Sequence, residues 1–458
     1  MGSVSRLSKK LPTALQKAYY AAVPLSIRYG AEYRKVYNFI NRSQWWSAQE
    51  LQAYQLVQLG ALLEHAYTNV PYYRRVFDER NLKPKDIQSL SDLAQLPILT
   101  RDIVRANFDD LIARNYPRSA LKKFSTSGST GNPLIFLGED RLYKTEAAFI
   151  TRAFNAHGAR LYDEPTIWLR RYVPESGAPI FKHDYELRRL YLSAYHLSLS
   201  RIKEYVDLIN GYNARVLVGY PSSLYILALL LEESGLHLKH IHVAHAASEK
   251  VLREWKEKAE SVLGIPVKTH YGMMEKVCMF FQCDCSDAYH ESLEYGITEF
   301  VNEENGVGQV VGTGFLNYAM PFIRYQMNDC ARINHNGTKC TCGRGLPLAV
   351  EDFEGRADDI LVTLDGRYIP GVNFYTMMYK IPGIKMFRIV QYAPNLVEVK
   401  IVPSALFDTA SMELLKRGLV DRLGSIELEI KLVDEIERSV KTGKVRCIEN
   451  NCGKGGAE

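Results

Sequence analysis

Residues Thr126–Pro133 read T-S-G-S-T-G-N-P, a run of hydroxyls and glycines without a charge. Lys122 and Lys123 precede it, and the apolar run Leu134–Leu137 follows. Glycine lets a backbone come close to a ligand, and hydroxyl and N–H groups donate to phosphate oxygens. A Walker loop requires lysine directly after its last glycine. Here Asn132 follows Gly131, so that reading fails. Two readings stay open for the stretch alone: a phosphate cradle without its own cation, or a Ser/Gly turn.

A second group of residues points to metal chemistry. All eight cysteines lie between 278 and 452. A disulfide scaffold would spread them along the chain, whereas clustering in a large chain suggests a metal. "CDCSDAYH" (283–290) and "CTC" (340–342) supply thiols and an imidazole from two loops. Such donors close a tetrahedral zinc site. The expected ligands are Cys283, His290, Cys340 and Cys342, with Cys285 as an alternate. Four ligands leave no open position, so the expected Zn²⁺ is structural. The competing reading is a set of reduced, half-buried thiols.

These residues must be held by more than one domain. At 458 residues the chain exceeds one compact core. Its 47% hydrophobic and 24% charged residues suit a globular protein, and a net charge of +5 does not imply nucleic acid. No leader peptide or transmembrane segment is expected. "ALQKAYYAAVPLSIRYG" contains Lys17, Pro24 and Arg28 and reads as a helix packed on its own domain, with peripheral membrane contact as the alternative. The expected location is the cytoplasm.

From about 46 to 115 the periodicity is helical, with caps at Ser47 and Thr100. From about 120 to 330, "PLIFLG", "TIWLRRYV", "ARVLVGYP", "HIHVAHAA" and "IPVKTHYG" read as strands that alternate with helices. That alternation predicts largely parallel strands. "YGITEFVNEENGVGQVVGTGF" reads as antiparallel hairpins. The pattern restarts after 355 with a hairpin at Asp365-Gly366, helices near 371–380 and 409–423, and three strands. The expected domains are 1–354 and 355–458. The fold class is α/β: a large N-terminal domain of mixed sheets and helices, plus a small α+β C-terminal domain.

Order along the chain resolves the first loop. Its spacing resembles the phosphate loop of the adenylate-forming superfamily. "HYGMMEK" (270–276), "AMPFIRYQMNDCARI" (319–333), "EGRADDILVTLDGRYIP" (354–370) and "KTGKVR" (441–446) resemble four further motifs of that superfamily, in its order. "HAYTNVPYYRRVFDERNL", "LPILTRDIVRANFDDL", "VGYPSSLYILA" and "CTCGRGLP" resemble its phenylacetate–CoA ligase-like branch, most closely the CapK-type proteins of capsular polysaccharide biosynthesis. That branch carries a similar Cys/His pattern.

The resemblance implies an ATP- and Mg²⁺-dependent ligase. It would activate a carboxylate as acyl-AMP and pass it to CoA, an amine or a sugar. Ser127, Gly128, Ser129, Thr130 and Gly131 would hold phosphates. Leu134 stands where the superfamily often has lysine. Tyr271 and Gly272 would border the adenine, Glu275 would bind Mg²⁺, and Asp329 would bind the ribose hydroxyls. Met274 replaces the usual hydroxyl residue. Arg324 would be a structural or phosphate-side cation. Arg356 would lie near ribose and phosphate, and Asp358 would be the hinge. Lys444 would be the catalytic lysine, with Lys441 as rival. Residues 219–224 and 244–250 would wall the acyl pocket. Two other outcomes compete: a degenerate nucleotide-binding scaffold, and an adenylyltransferase acting on a hydroxyl-bearing cofactor.

Overall fold

The computed structural model describes residues 12–452 except 24–27, 127–133, 162–163, 171, 173, 175–177, 249–250, 336–338, 355–359, 379, 435 and 437–446. Its first part is helical: α1 (Thr13–Ala22), α2 (Gly30–Ser43), α3 (Ala48–Asn69), α4 (Pro71–Glu79) and α5 (Arg101–Ala106). Local sequence explains the starts. Ser47 Oγ accepts from Glu50 N–H at 3.2 Å, and Glu50 Oε2 accepts from Ser47 N–H at 2.8 Å. This reciprocal pair satisfies two N–H groups that the first turn would otherwise leave bare. Pro71 opens α4, where a missing N–H costs nothing. Thr100 Oγ1 accepts from Ile103 N–H at 3.3 Å and caps α5.

The α1 helix packs on its own chain. Tyr20 is buried, and Arg188 Nε donates to Tyr20 O at 2.9 Å. Among the described residues, no helix is long and apolar enough to cross a membrane.

After the β1 (Lys122–Ser125) and β2 (Ile135–Gly138) hairpin comes α6 (Arg141–Asn155). The chain then builds one long sheet. Its strands are β3 (Thr166–Arg170), β4 (Phe181–Asp184), β5 (Arg189–Ser193), β6 (Val216–Gly219), β7 (Val243–Ala246) and β8 (Val267–Gly272). They continue as β9 (Met279–Cys283), β10 (Ser286–Glu291), β11 (Gly296–Glu304), β12 (Val307–Gly314), β13 (Tyr325–Ile333) and β14 (Leu348–Glu354). The spatial order is β11-β12-β13-β14-β10-β9-β8-β7-β6-β3-β5-β4.

The run β8-β7-β6-β3-β5 is parallel, and the remaining pairings are antiparallel. The expectation of largely parallel strands therefore holds for only part of the sheet. The edge pair β4–β5 was not among the expected strands, because charged residues in "FKHDYELRRLYLS" mask the alternation. Helices α7 (Ile202–Tyr212), α8 (Pro221–Ser234) and α9 (Arg253–Leu263) connect the parallel strands. Strands β6 and β7 are buried at every position, as strands covered on both faces must be. Under the antiparallel part, α3 and α4 bury Leu59, Leu63, Tyr73 and Phe77 against Phe280, Tyr325 and Val350.

The C-terminal region begins with the β15 (Ile360–Val362) and β16 (Tyr368–Pro370) hairpin, where Gly366 has φ +75°. Next come α10 (Val372–Met378), β17 (Ile384–Ala393), β18 (Leu396–Pro403), α11 (Thr409–Leu423), β19 (Glu427–Leu432) and β20 (Ile448–Asn450). The four last strands form a sheet ordered β19-β18-β17-β20, antiparallel in the middle and parallel outside. Phe374, Met378, Phe387, Ile389, Leu415 and Leu419 fill its core. The molecule is thus a mixed α/β unit joined to a small α+β unit.

Candidate functional site

Three of the expected residues meet at the carboxyl end of β8. Tyr271 is on β8, Asp329 is on β13, and Glu275 is in the turn after β8. Tyr271 O–H donates to Asp329 Oδ2 at 2.7 Å. The Tyr271 ring stacks on Phe353 of β14, with centroids 3.7 Å apart and planes 6° apart. Phe280 and Tyr289 meet Phe353 edge-on at 5.2 and 5.1 Å, so the stack is backed by the core. Burial and the neighbouring Asp329 push the Tyr271 phenol well above its usual range, which leaves it a neutral donor.

Glu275 is only 6% exposed. Its Oε1 accepts from Tyr325 O–H at 3.1 Å and lies 3.5 Å from Arg101 Nη2. Burial raises the Glu275 pKa, and the Arg101 charge opposes that rise. A buried carboxylate with one nearby cation suits a divalent ion that prefers few carboxylates plus phosphate oxygens. Next to it, Lys276 has φ +59° and is buried, with Nζ 2.5 Å from Glu146 Oε1. The backbone at 276–277 lies against Gly296 and Gly314, where a Cβ would come within 3 Å of it, and a Cβ on Gly312 would meet the Val277 side chain at 2.8 Å. These contacts hold the turn that presents Glu275.

Arg101 and Phe353 were not among the expected site residues. Arg101 arrives because the segment before α5 is clamped to β13. Leu99 N–H donates to Arg324 O, and Gln326 N–H donates to Leu99 O, both at 2.9 Å. The cue in the sequence was Thr100, which caps α5 and leaves Arg101 at its first position. Arg324 resolves as a structural cation. It has φ +53°, pairs with both Glu299 oxygens, and donates to Ala94 O and Leu96 O. Gly272 is exposed, and a Cβ there would meet only Met279 Cγ at 3.9 Å, so packing does not demand glycine.

Ser127, Gly128, Ser129, Thr130, Gly131, Arg356, Asp358, Lys441 and Lys444 lie outside the described residues. The neck of the first loop is described. Thr126 N–H donates to Leu134 O at 3.0 Å, and Leu134 N–H donates to Thr126 Oγ1 at 2.9 Å. Leu134 is 1% exposed and belongs to the core. The position that often carries lysine therefore serves packing here.

The Cys/His cluster closes. The ligand atoms of Cys283, His290, Cys340 and Cys342 all lie within 4.8 Å of one another. Cys283 Sγ is 3.5 Å from Cys340 Sγ, and Cys342 Sγ is 3.5 Å from His290 Nε2. Tetrahedral zinc thiolates place sulfurs about 3.7 Å apart, so the spacing fits. His290 Nδ1 lies 2.8 Å from Leu346 O and donates to it in the tautomer whose Nε2 lone pair faces the sulfurs. Burial pushes His290 down to about 4, which keeps it neutral. Cys285 is exposed, with its Sγ against Asp284 Oδ1, and is not part of the cluster. The cysteine loop docks on the α2–α3 junction: Gly345 N–H donates to Gln44 O at 2.8 Å. A Cβ on Gly345 would fall 1.7 Å from Trp46 O, so only glycine fits this approach.

Residues 361–451 match the family model for the CapK C-terminal domain. Phenylacetate-coenzyme A ligase of Pseudomonas putida is 23% identical over 409 residues, covering 86% of this chain and 88% of that protein. Protein CapK of Staphylococcus aureus is 22% identical over 319 residues, covering 67% and 68%. A crystal structure of 2-hydroxyisobutyryl-CoA ligase with 2-HIB-AMP and CoA has a TM-score of 0.60 at 18% identity, covering 90% of this chain and 92% of that one. That last likeness speaks for the fold. In its ordered motifs, its C-terminal match and these relatives, the chain is similar to the adenylate-forming ligases, and within them to the phenylacetate–CoA ligases and CapK.

Proposed function

We propose that the protein is an ATP-dependent acid–CoA ligase. A carboxylate oxygen of the acid attacks the α-phosphorus of ATP and pyrophosphate leaves. A thiolate of CoA then attacks the acyl carbon and AMP leaves. Asp329 takes the ribose hydroxyls as a bidentate acceptor. Tyr271 gives up its bond to Asp329 and borders the adenine, and Gly272 leaves room beside it. Glu275 holds Mg²⁺ with phosphate oxygens. Ser127, Gly128, Ser129, Thr130 and Gly131 cradle the phosphates, and Arg356 lies near ribose and phosphate. Lys444, with Lys441 as rival, reaches the α-phosphate and the acid. Asp358 is the hinge between a domain of residues 1–354 and one of 355–458, which rotates between the half-reactions. Zn²⁺ on Cys283, His290, Cys340 and Cys342 is structural.

The observation that carries this reading is the convergence of Tyr271, Asp329 and Glu275 at the carboxyl end of β8. Ligands of open sheets with parallel strands bind in that crevice. The likeness to CapK supports a place in polysaccharide assembly, where a sugar or amine takes the acyl group instead of CoA. ATP–pyrophosphate exchange across aryl, short-chain and amino acids tests the first half-reaction, and thioester formation with CoA tests the second. Tight ATP binding without exchange for any acid would favour a nucleotide-binding scaffold. A stable AMP adduct on a hydroxyl would favour adenylyl transfer to a cofactor.

A further inference from the structure

Three histidines form a hydrogen-bonded ladder beside the same crevice. His157 Nε2 lies 2.8 Å from His245 Nδ1, and His245 Nε2 lies 2.7 Å from His270 Nδ1. His157 follows α6, His245 is on β7, and His270 is on β8, one residue before Tyr271. Phe154 stacks on His245 with centroids 3.7 Å apart. His245 is fully buried, His157 is 7% exposed, and His270 is half-buried. Gly219, Ala246 and Thr269 are in register across β6, β7 and β8, so His270 stands one residue beyond, on the rim. Arg170 ends β3 one residue beyond the Leu169–Gly219 pair, on the same rim.

Burial lowers His157 to about 3 and His270 to about 4, and takes His245 well below its usual value. All three rings are therefore neutral near pH 7. Each neutral ring has one donor and one acceptor, so the ladder has two states, with every ring protonated at Nε2 or every ring at Nδ1. His157 Nδ1 is buried and finds no hydrogen-bond partner among the described residues. A buried N–H without a partner is rarer and worse than an unused acceptor. The Nε2–H state avoids it and leaves His270 Nε2–H outside the ladder, on a half-buried ring at the rim. Arg170, whose charge also lowers His245 and His270, adds a second donor group at the rim.

We propose that His270 Nε2–H reads the substrate. The site favours acids whose acyl part carries a hydrogen-bond acceptor, such as a hydroxyl, carbonyl or second carboxylate, and His157 and His245 are positioning residues that hold the tautomer. This inference rests on the ligase reading above. The test uses matched acids, one hydroxy- or oxo-substituted and one with methyl in its place. In ATP–pyrophosphate exchange, His270→Leu should lower the acceptor-to-methyl rate ratio about 10- to 100-fold. His270→Gln, which keeps a donor, should restore part of it. Exchange in the wild type with an unchanged ratio in His270→Leu overturns the inference and leaves the ligase reading intact. If no acid supports exchange, the ligase reading fails, and ¹⁵N imidazole spectra judge the ladder alone. Nε2–H on His245 and His270, assigned with His157→Phe and His270→Leu, is expected. An Nδ1–H ring at His270 overturns it.

Discussion

The Cys/His cluster and the Tyr271–Glu275–Asp329 site share one sheet but assemble from different distances along the chain. All four cluster residues lie between 283 and 342, on the β9–β10 hairpin and the loop between β13 and β14. Their geometry closes among themselves, and the backbone carbonyl of Leu346 completes it. The proposed nucleotide site draws Arg101 from α5, Tyr271 from β8, Tyr325 and Asp329 from β13, and Phe353 from β14. Its polar groups depend on a stacked aromatic core and on the clamp between residue 99 and β13. A local cluster should therefore govern stability, and a dispersed one should govern activity.

The largest expected effect sharpens the activity side. On the proposed reading, Asp329→Ala removes a charged acceptor for two ribose hydroxyls, each worth about 1.5–3 kcal/mol. Exchange should fall about 10²- to 10⁴-fold while the apo melting temperature stays within a few degrees. An equal collapse of both would erase the distinction. Next, Cys340→Ser should remove one equivalent of zinc, read by elemental analysis, and lower the melting temperature by roughly 5 °C or more. Strong chelation of the wild type should reproduce that shift. A cysteine variant that keeps its melting temperature would show the cluster to be dispensable for the fold.

A smaller effect follows from the histidine ladder. Its folded pKa values are depressed, so unfolded chains bind more protons below the ordinary histidine value. Stability should fall as pH drops from about 6.5 toward 4, by up to about 1.4 kcal/mol per pH unit for each ring. His157→Phe should flatten that slope in thermal melts between pH 4 and 7. The smallest effect concerns Glu275, whose folded pKa is raised by burial. Its contribution is present below the ordinary glutamate value and is lost as pH rises through the raised value. Arg101→Leu removes the opposing charge, so this loss should extend to higher pH. Saturating ATP and Mg²⁺ should restore stability in the wild type more than in Glu275→Gln.

The two regions were legible to different degrees. The cluster could be read because thiol and imidazole at short spacings have few other reasons to gather. Only the choice against Cys285 needed the fold, which turns that side chain to the surface. Tyr271, Glu275 and Asp329 were legible because motif order carried them. Arg101 and Phe353 were not, because an arginine after a helix cap and a phenylalanine in a strand are ordinary at their own positions. The histidine ladder left no trace either, since His157, His245 and His270 are far apart in sequence and each alone suits a core.

By itself, the sequence determined the caps at Ser47 and Thr100 and the hairpin at Asp365-Gly366, because each rests on short-range spacing and local backbone chemistry, while motif order carried the superfamily resemblance and clustering marked the cysteines and His290 as candidate metal ligands. Tertiary structure alone decided where the parallel run ends, which aromatic backs Tyr271, which cation faces Glu275 and how three imidazoles share protons. Those outcomes depend on strand order and burial, which bring together residues that no local periodicity connects.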